Sequence, residues 1–147
     1  MNEQVWISNS RESSRQLARQ LTTLMLANSN IRYVLLTGGL GAGKTTLVQD
    51  ILAYLGSTDI VTSPTFSICN TYKARGGGMR VLHSDLYRVE SITELEQTGF
   101  FELAESCDLA LIEWGDKLDL ATTLPSYISI NINVTENERH YSYKQNE

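Results

Sequence analysis

An α/β fold with a mixed, mostly parallel sheet flanked by helices follows from three features of the sequence. Short apolar runs alternate with amphipathic stretches through the first half, the pattern of strands wound with helices. One of those runs, Tyr33-Val34-Leu35-Leu36, is apolar throughout, as in a strand buried on both faces, and passes straight into a glycine-rich turn. The second half holds a strand pair around a triple glycine and an alternating strand near the C-terminus, so antiparallel pairings are expected there. With 147 residues the chain is expected to form one domain, residues 1–147, large enough to bury a core without disulfides or a structural metal.

Taken in order, Val5-Trp6-Ile7 reads as a short strand. Ser8 to Ser10 offer caps for a helix whose Leu17, Leu21, Leu24 and Met25 share one face. Asn28-Ser29-Asn30 ends that helix, and the buried strand at Tyr33 follows. Leu47, Val48, Ile51, Leu52 and Leu55 outline a second helix with Gly56 as its stop. Ile60 to Phe66 begins as a loop. Phe66 to Lys73 and Met79 to Leu86 are two strands joined by Gly76-Gly77-Gly78. Ser91-Ile92-Thr93-Glu94 opens a short helix to about Gln97 as a capping box, and a further helical turn covers Phe101 to Ala104. Leu109 to Ile112 is a second buried strand. Tyr127 to Val134 alternates like a strand with one wet face, and His140 to Tyr143 is expected to add an edge strand.

Composition narrows the function. No apolar run approaches the roughly 20 residues of a spanning helix, and Met1-Asn2-Glu3-Gln4 does not begin a signal peptide, so no membrane role is expected. A net charge of −5 argues against holding nucleic acid by charge alone. Cys69 and Cys107 lack metal-site or CxxC spacing and read as reduced thiols of a cytoplasmic protein.

Gly38-Gly39-Leu40-Gly41-Ala42-Gly43-Lys44-Thr45 matches G-x-x-x-x-G-K-[ST], between an apolar strand and an amphipathic helix. Such glycines let successive backbone N–H groups of Gly38, Leu40, Gly41, Ala42 and Gly43 turn into one hollow, and the helix N-terminus adds its dipole there. Lys44 reaches the β- and γ-phosphates, the Thr45 hydroxyl suits Mg²⁺, and the Thr46 backbone N–H is a further phosphate donor. A chance lysine after a glycine-rich turn would not explain both flanks. The loop therefore predicts a P-loop NTPase fold that binds a nucleoside triphosphate. Such a site needs carboxylates for the metal and the attacking water. Glu113 and Asp85 each end a predicted strand at the expected crevice. His83 lies two residues before Asp85 on the same face. It either orients Asp85 or, the preferred reading, is a structural histidine with its polar atoms satisfied. Within Thr62-Ser63-Pro64-Thr65-Phe66, Thr65 is the candidate γ-phosphate sensor and Thr62 the reserve.

The blocks Gly38 to Thr46, Ser63-Pro64-Thr65-Phe66, His83-Ser84-Asp85-Leu86-Tyr87-Arg88 and Leu111-Ile112-Glu113-Trp114 together resemble the TsaE (YjeE) family. The resemblance runs to about Arg139. It implies a small ATPase of the tRNA threonylcarbamoyladenosine pathway, weak alone and stimulated by partners. Its cofactors are ATP and Mg²⁺, and it is an accessory of the TsaB–TsaD pair that modifies the adenosine beside the anticodon of ANN-reading tRNAs. Contact with tRNA is expected only through that pair. By position it implies that Lys44, Asp85 and Glu113 are catalytic, that Thr45 and Glu113 hold the metal, that Trp114 lies beside the site, and that Arg139 matches an arginine near the nucleotide. Gly39 departs from the family's usual acid, which makes the loop less negative. Two other readings compete. A GTPase-type switch is suggested by Asp116-Lys117-Leu118-Asp119, an imitation of the guanine-reading N-K-x-D, but Asp85-Leu86-Tyr87-Arg88 lacks the glycine of a D-x-x-G switch. A small-molecule kinase needs an arginine-bearing lid, and the chain after Glu113 holds one arginine, Arg139.

Overall fold

The computed structural model describes residues 2–58 and 68–146; Thr62, Ser63, Pro64, Thr65 and Phe66 lie outside them. The elements in chain order are β1 (Gln4–Ser8), α1 (Arg11–Ala27), β2 (Tyr33–Gly38), α2 (Lys44–Tyr54), β3 (Cys69–Ala74), β4 (Met79–Asp85), α3 (Ile92–Gln97), α4 (Phe100–Ser106), β5 (Leu109–Glu113), β6 (Tyr127–Val134) and β7 (Arg139–Asn146), with short 3₁₀ turns at Gly115–Leu118 and Leu120–Thr123. Among the described residues the strands form one sheet in the order β1-β7-β6-β2-β5-β4-β3. The four central strands β6, β2, β5 and β4 are parallel, and β7 and β3 run against their neighbours.

The local causes are those the sequence suggests. Ser10 caps α1, its hydroxyl accepting from the Ser13 N–H, and Asn28 closes the helix. Helix α2 ends at Leu55 and Gly56, where Gly56 takes φ +81 and the Ser57 N–H returns to the Leu52 carbonyl. Ser91 caps α3 by accepting from the Glu94 N–H, while the Glu94 carboxylate accepts from the Glu90 N–H.

Each face of the sheet buries its own cluster. Helices α1 and α2 cover one face through Leu17, Leu21, Val48 and Ile51 against Leu36, Leu111 and Ile130. On the other, α3, α4 and the 3₁₀ turns place Leu95, Phe100 and Leu120 against Leu35, Leu82 and Ile112. Because side chains alternate along a strand, β2 serves both clusters, which is why it is apolar at every position from Tyr33 to Leu36.

The expectation for the C-terminal strand needs correction. Strand β7 is longer than His140–Tyr143 and is not an edge: it lies between β6 and β1. Strand β1 pairs antiparallel along its outer side, with Trp6 opposite Tyr141 and Gln4 opposite Tyr143. Tyr141 and Tyr143 turn in under α1, and the Ser14 and Tyr141 hydroxyls are hydrogen-bonded at 3.1 Å. Among the described residues the sheet edges are β1 and β3. Cys69 and Cys107 are thiols, not joined in a disulfide among the described residues.

Candidate functional site

At the carboxyl end of β2 the chain must reverse at once into α2, and two glycines make that possible. Gly38 has φ +149, and a Cβ there would lie 2.7 Å from the Ile132 carbonyl oxygen. Gly43 has φ +103 and stands at the N-cap of α2, with Arg139 Nε 3.4 Å from where its Cβ would be. Any other residue at either position would be strained. Arg139 braces the loop from β7, its Nε donating to the Ala42 carbonyl at 3.1 Å.

Lys44, the first residue of α2, folds back over the loop. Its Nζ donates to the carbonyls of Gly38 at 2.7 Å and Gly39 at 2.9 Å and lies 4.1 Å from the centre of the Trp114 ring. The side chain is nearly buried. Burial pushes the Lys44 ammonium below the ordinary lysine range, and Glu113, Asp85 and Asp116 partly offset that shift. Trp114 reaches Lys44 from a left-handed backbone conformation, φ +64, which costs a non-glycine residue on the order of 1 kcal/mol. Tyr87 packs on its ring at 5.0 Å.

The neighbouring strand supplies the acid. Glu113 ends β5 beside β2, and the Thr45 hydroxyl donates to its two carboxylate oxygens at 3.1 and 3.0 Å. A hydroxyl and a carboxylate at a helix N-terminus form a hard-oxygen pair. Mg²⁺ is commonly held by one or two protein groups together with phosphates and water, so this pair suits it. Asp85 ends β4 next to β5 and lines the same cleft of about 300 Å³, with the loop, Glu113, Trp114 and Arg139. Its Oδ1 accepts from the Tyr87 N–H within its own turn.

Lys44, Thr45, Asp85 and Glu113 are therefore brought together, with Thr46 and the loop residues Leu40, Gly41, Ala42 and Gly43 on the same cleft. Thr65 lies outside the described residues. Both readings of His83 are corrected. Its Nε2 lies 2.5 Å from Glu113 Oε2, not on Asp85, and its buried Nδ1 has no partner among the described residues. The strand pattern carries a signal for this contact: His83 and Glu113 share a face of adjacent parallel strands, two register positions apart. Finding it requires knowing that β4 and β5 are neighbours. Lys117, of the segment that imitates a guanine-reading motif, donates to the Tyr87 carbonyl and lies over the Tyr87 ring.

A glycine turn between a buried parallel strand and a helix, with lysine and threonine opening that helix and an acid ending the next strand, defines a P-loop nucleotide-binding α/β protein. The model of the family "Threonylcarbamoyl adenosine biosynthesis protein TsaE" matches residues 8–142, and the chain belongs to the TsaE family. It is 37% identical over 132 residues to the tRNA threonylcarbamoyladenosine biosynthesis protein TsaE of Rickettsia conorii, covering 89% of this chain and 71% of that one. The protein of the same name from Rickettsia bellii is 32% identical, with 96% and 94% covered, and that from Streptomyces coelicolor 37%, with 69% and 67% covered. The fold is similar to the crystal structure of Bacillus subtilis YdiB, with a TM-score of 0.70 and 26% identity over 97% of this chain and 84% of that one. Among the described residues no helix is long and apolar enough to cross a membrane.

Proposed function

We propose that the protein binds ATP with Mg²⁺ and hydrolyses it slowly, as an accessory of the TsaB–TsaD pair in tRNA threonylcarbamoyladenosine biosynthesis. The observation that carries the ATP part is the convergence of Lys44, Thr45 and Glu113 on the glycine turn, within hydrogen-bond distance of one another or of the loop. The backbone of residues 38–46 cradles the phosphates, and Lys44 carries charge to the β- and γ-phosphate oxygens. Thr45 and Glu113 hold the metal, which when bound neutralises charge on the phosphates. Asp85, less buried and at the end of the adjoining strand, orients the attacking water. The pathway and the partner rest on family membership.

The direct test is the rate of phosphate release from ATP with and without TsaB–TsaD and tRNA. Slow release alone and faster release with the pair supports the reading. A rate indifferent to the pair removes the accessory role, and equal competition by GTP removes the preference for ATP. Thr65 is proposed to sense the γ-phosphate. Thr65→Ala is then expected to reduce the difference in TsaB–TsaD affinity between ADP and a non-hydrolysable ATP analogue, with ATP affinity held within a few-fold. Equal partner affinity in both nucleotide states of the unaltered protein ends the switch idea, since a ligand shifts an equilibrium only through differential contacts.

A further inference from the structure

We infer that His83 is a positioning residue for the nucleotide site: its Nε2–H holds the Glu113 carboxylate against Thr45. The inference rests on the ATP–Mg²⁺ reading above and adds a residue to which that reading gives no role. Four observations carry it. His83 is fully buried on β4 and Glu113 almost fully on β5. The two side chains meet at 2.5 Å, His83 Nε2 against Glu113 Oε2. The same Oε2 also accepts from Thr45 Oγ1, so histidine, glutamate and threonine form one chain from the sheet to the first turn of α2. Finally, His83 Nδ1 has no partner among the described residues.

The partner of Nε2 is what gives the histidine a positioning role. A buried histidine needs a hydrogen-bond partner in any case. Nε2 makes the ring's one hydrogen bond among the described residues, its partner is the acid of the site, and the same Oε2 carries the contact on to Thr45. A carboxylate only accepts, so in the proposed arrangement the shared proton sits on Nε2 of the histidine. That bond restricts the glutamate's rotation and leaves its free lone pairs directed to the Thr45 side. The arrangement resembles the outer partners that orient metal ligands elsewhere and that matter nearly as much as the ligands.

The test compares the wild-type protein with His83→Gln and His83→Asn. A glutamine amide nitrogen falls near the position of Nε2 and keeps the donor, whereas an asparagine nitrogen falls near Nδ1 and loses it. The measurement is the Mg²⁺ concentration that half-saturates binding of a non-hydrolysable ATP analogue, with binding in EDTA as control. His83→Asn is expected to raise that concentration about 10–100-fold, and His83→Gln to stay within about threefold of wild type. Binding in EDTA is expected to be alike in all three, and kcat to fall in His83→Asn more than KM rises. Unchanged Mg²⁺ dependence in His83→Asn overturns the inference, as does equal damage by both variants. Should His83→Asn not fold, the ¹⁵N spectrum of the wild-type imidazole decides. A proton on Nε2 supports the proposal, and its absence there overturns it. If wild-type analogue binding is itself indifferent to Mg²⁺, the ATP–Mg²⁺ reading fails; if the wild type needs Mg²⁺ and His83→Asn needs no more of it, the positioning role alone fails.

Discussion

The two ends of the parallel strands handle charge in opposite ways. At the carboxyl ends of β2, β4 and β5, charged or polar groups are buried and face one another: Lys44, His83 and Glu113 are all under 6% exposed. At the amino ends the charged groups stay toward solvent and tie main chain to main chain. Arg32 donates to the carbonyls of Glu105 and Cys107, and Asp108 accepts from the Arg80 N–H. The cleft at that end, beside Arg32, Tyr33 and Pro125, is the larger, about 420 Å³ against about 300 Å³. Among the described residues it holds neither a glycine turn nor a buried acid. Volume is therefore a poor guide to chemistry in this molecule, and the burial of unlike charges together is a good one. Burying those groups costs free energy, which a merely stable fold would avoid.

That contrast can be broken most directly at Lys44. Lys44→Ala is expected to weaken binding of an ATP analogue at least about 30-fold, the lower end of what losing one partner of a desolvated charged contact costs. Thermal stability should hardly change, and wild-type affinity in calorimetry would remove the P-loop assignment. Asp85→Asn acts on the rate rather than on binding. It should slow phosphate release about 100-fold, in the range for a lost proton-handling or water-orienting group, with analogue affinity within a few-fold. Glu113→Gln should instead raise the Mg²⁺ requirement about 10–100-fold. A Mg²⁺ titration of both variants sharpens the comparison between the two strand-terminal acids, and the opposite ranking would exchange their roles.

The half of the molecule built from local signals is legible in its residues alone. The strand Tyr33–Leu36, the glycine turn and α2 lie consecutively, and each carries its own pattern, so the site's frame can be written from residues 33–56. Glu113 is legible because it follows a run of four apolar residues that must be a buried strand. What is not legible depends on strand order. The contact of His83 with Glu113 needs β4 beside β5, and the inner place of β7 needs β1 to travel back across the chain to Tyr141 and Tyr143. The Arg11 pair with Asp50, at 2.5 and 2.7 Å across 39 residues, is hidden from the sequence for the same reason. Periodicity reports which face a residue shows, not which strand lies next to it.

The smallest expected effect lies at the other end and tests whether the two ends are separable. Arg32 precedes β2, and its guanidinium reaches the Glu105 carbonyl in the last turn of α4 and that of the C-cap residue Cys107, groups that a helix terminus leaves without intrahelical partners. Removing it in Arg32→Ala deletes two charge-assisted hydrogen bonds, each worth roughly 1.5–3 kcal/mol where water is excluded. Water is not excluded here: Arg32 is only half-buried, and solvent can replace the donor at both carbonyls. The net loss should therefore be about 1 kcal/mol, a fall in Tm of about 2–4 °C for a chain of this size. Analogue affinity and Mg²⁺ half-saturation should stay at wild-type values, because the loss falls on the docking of α4 at the strand end away from the glycine turn. Glu113→Gln should show the inverse, a changed metal requirement with little change in Tm. A tenfold loss of nucleotide affinity in Arg32→Ala would mean that β2 transmits strain from one end of the sheet to the other, and the separation of stabilising charges from functional ones would not hold.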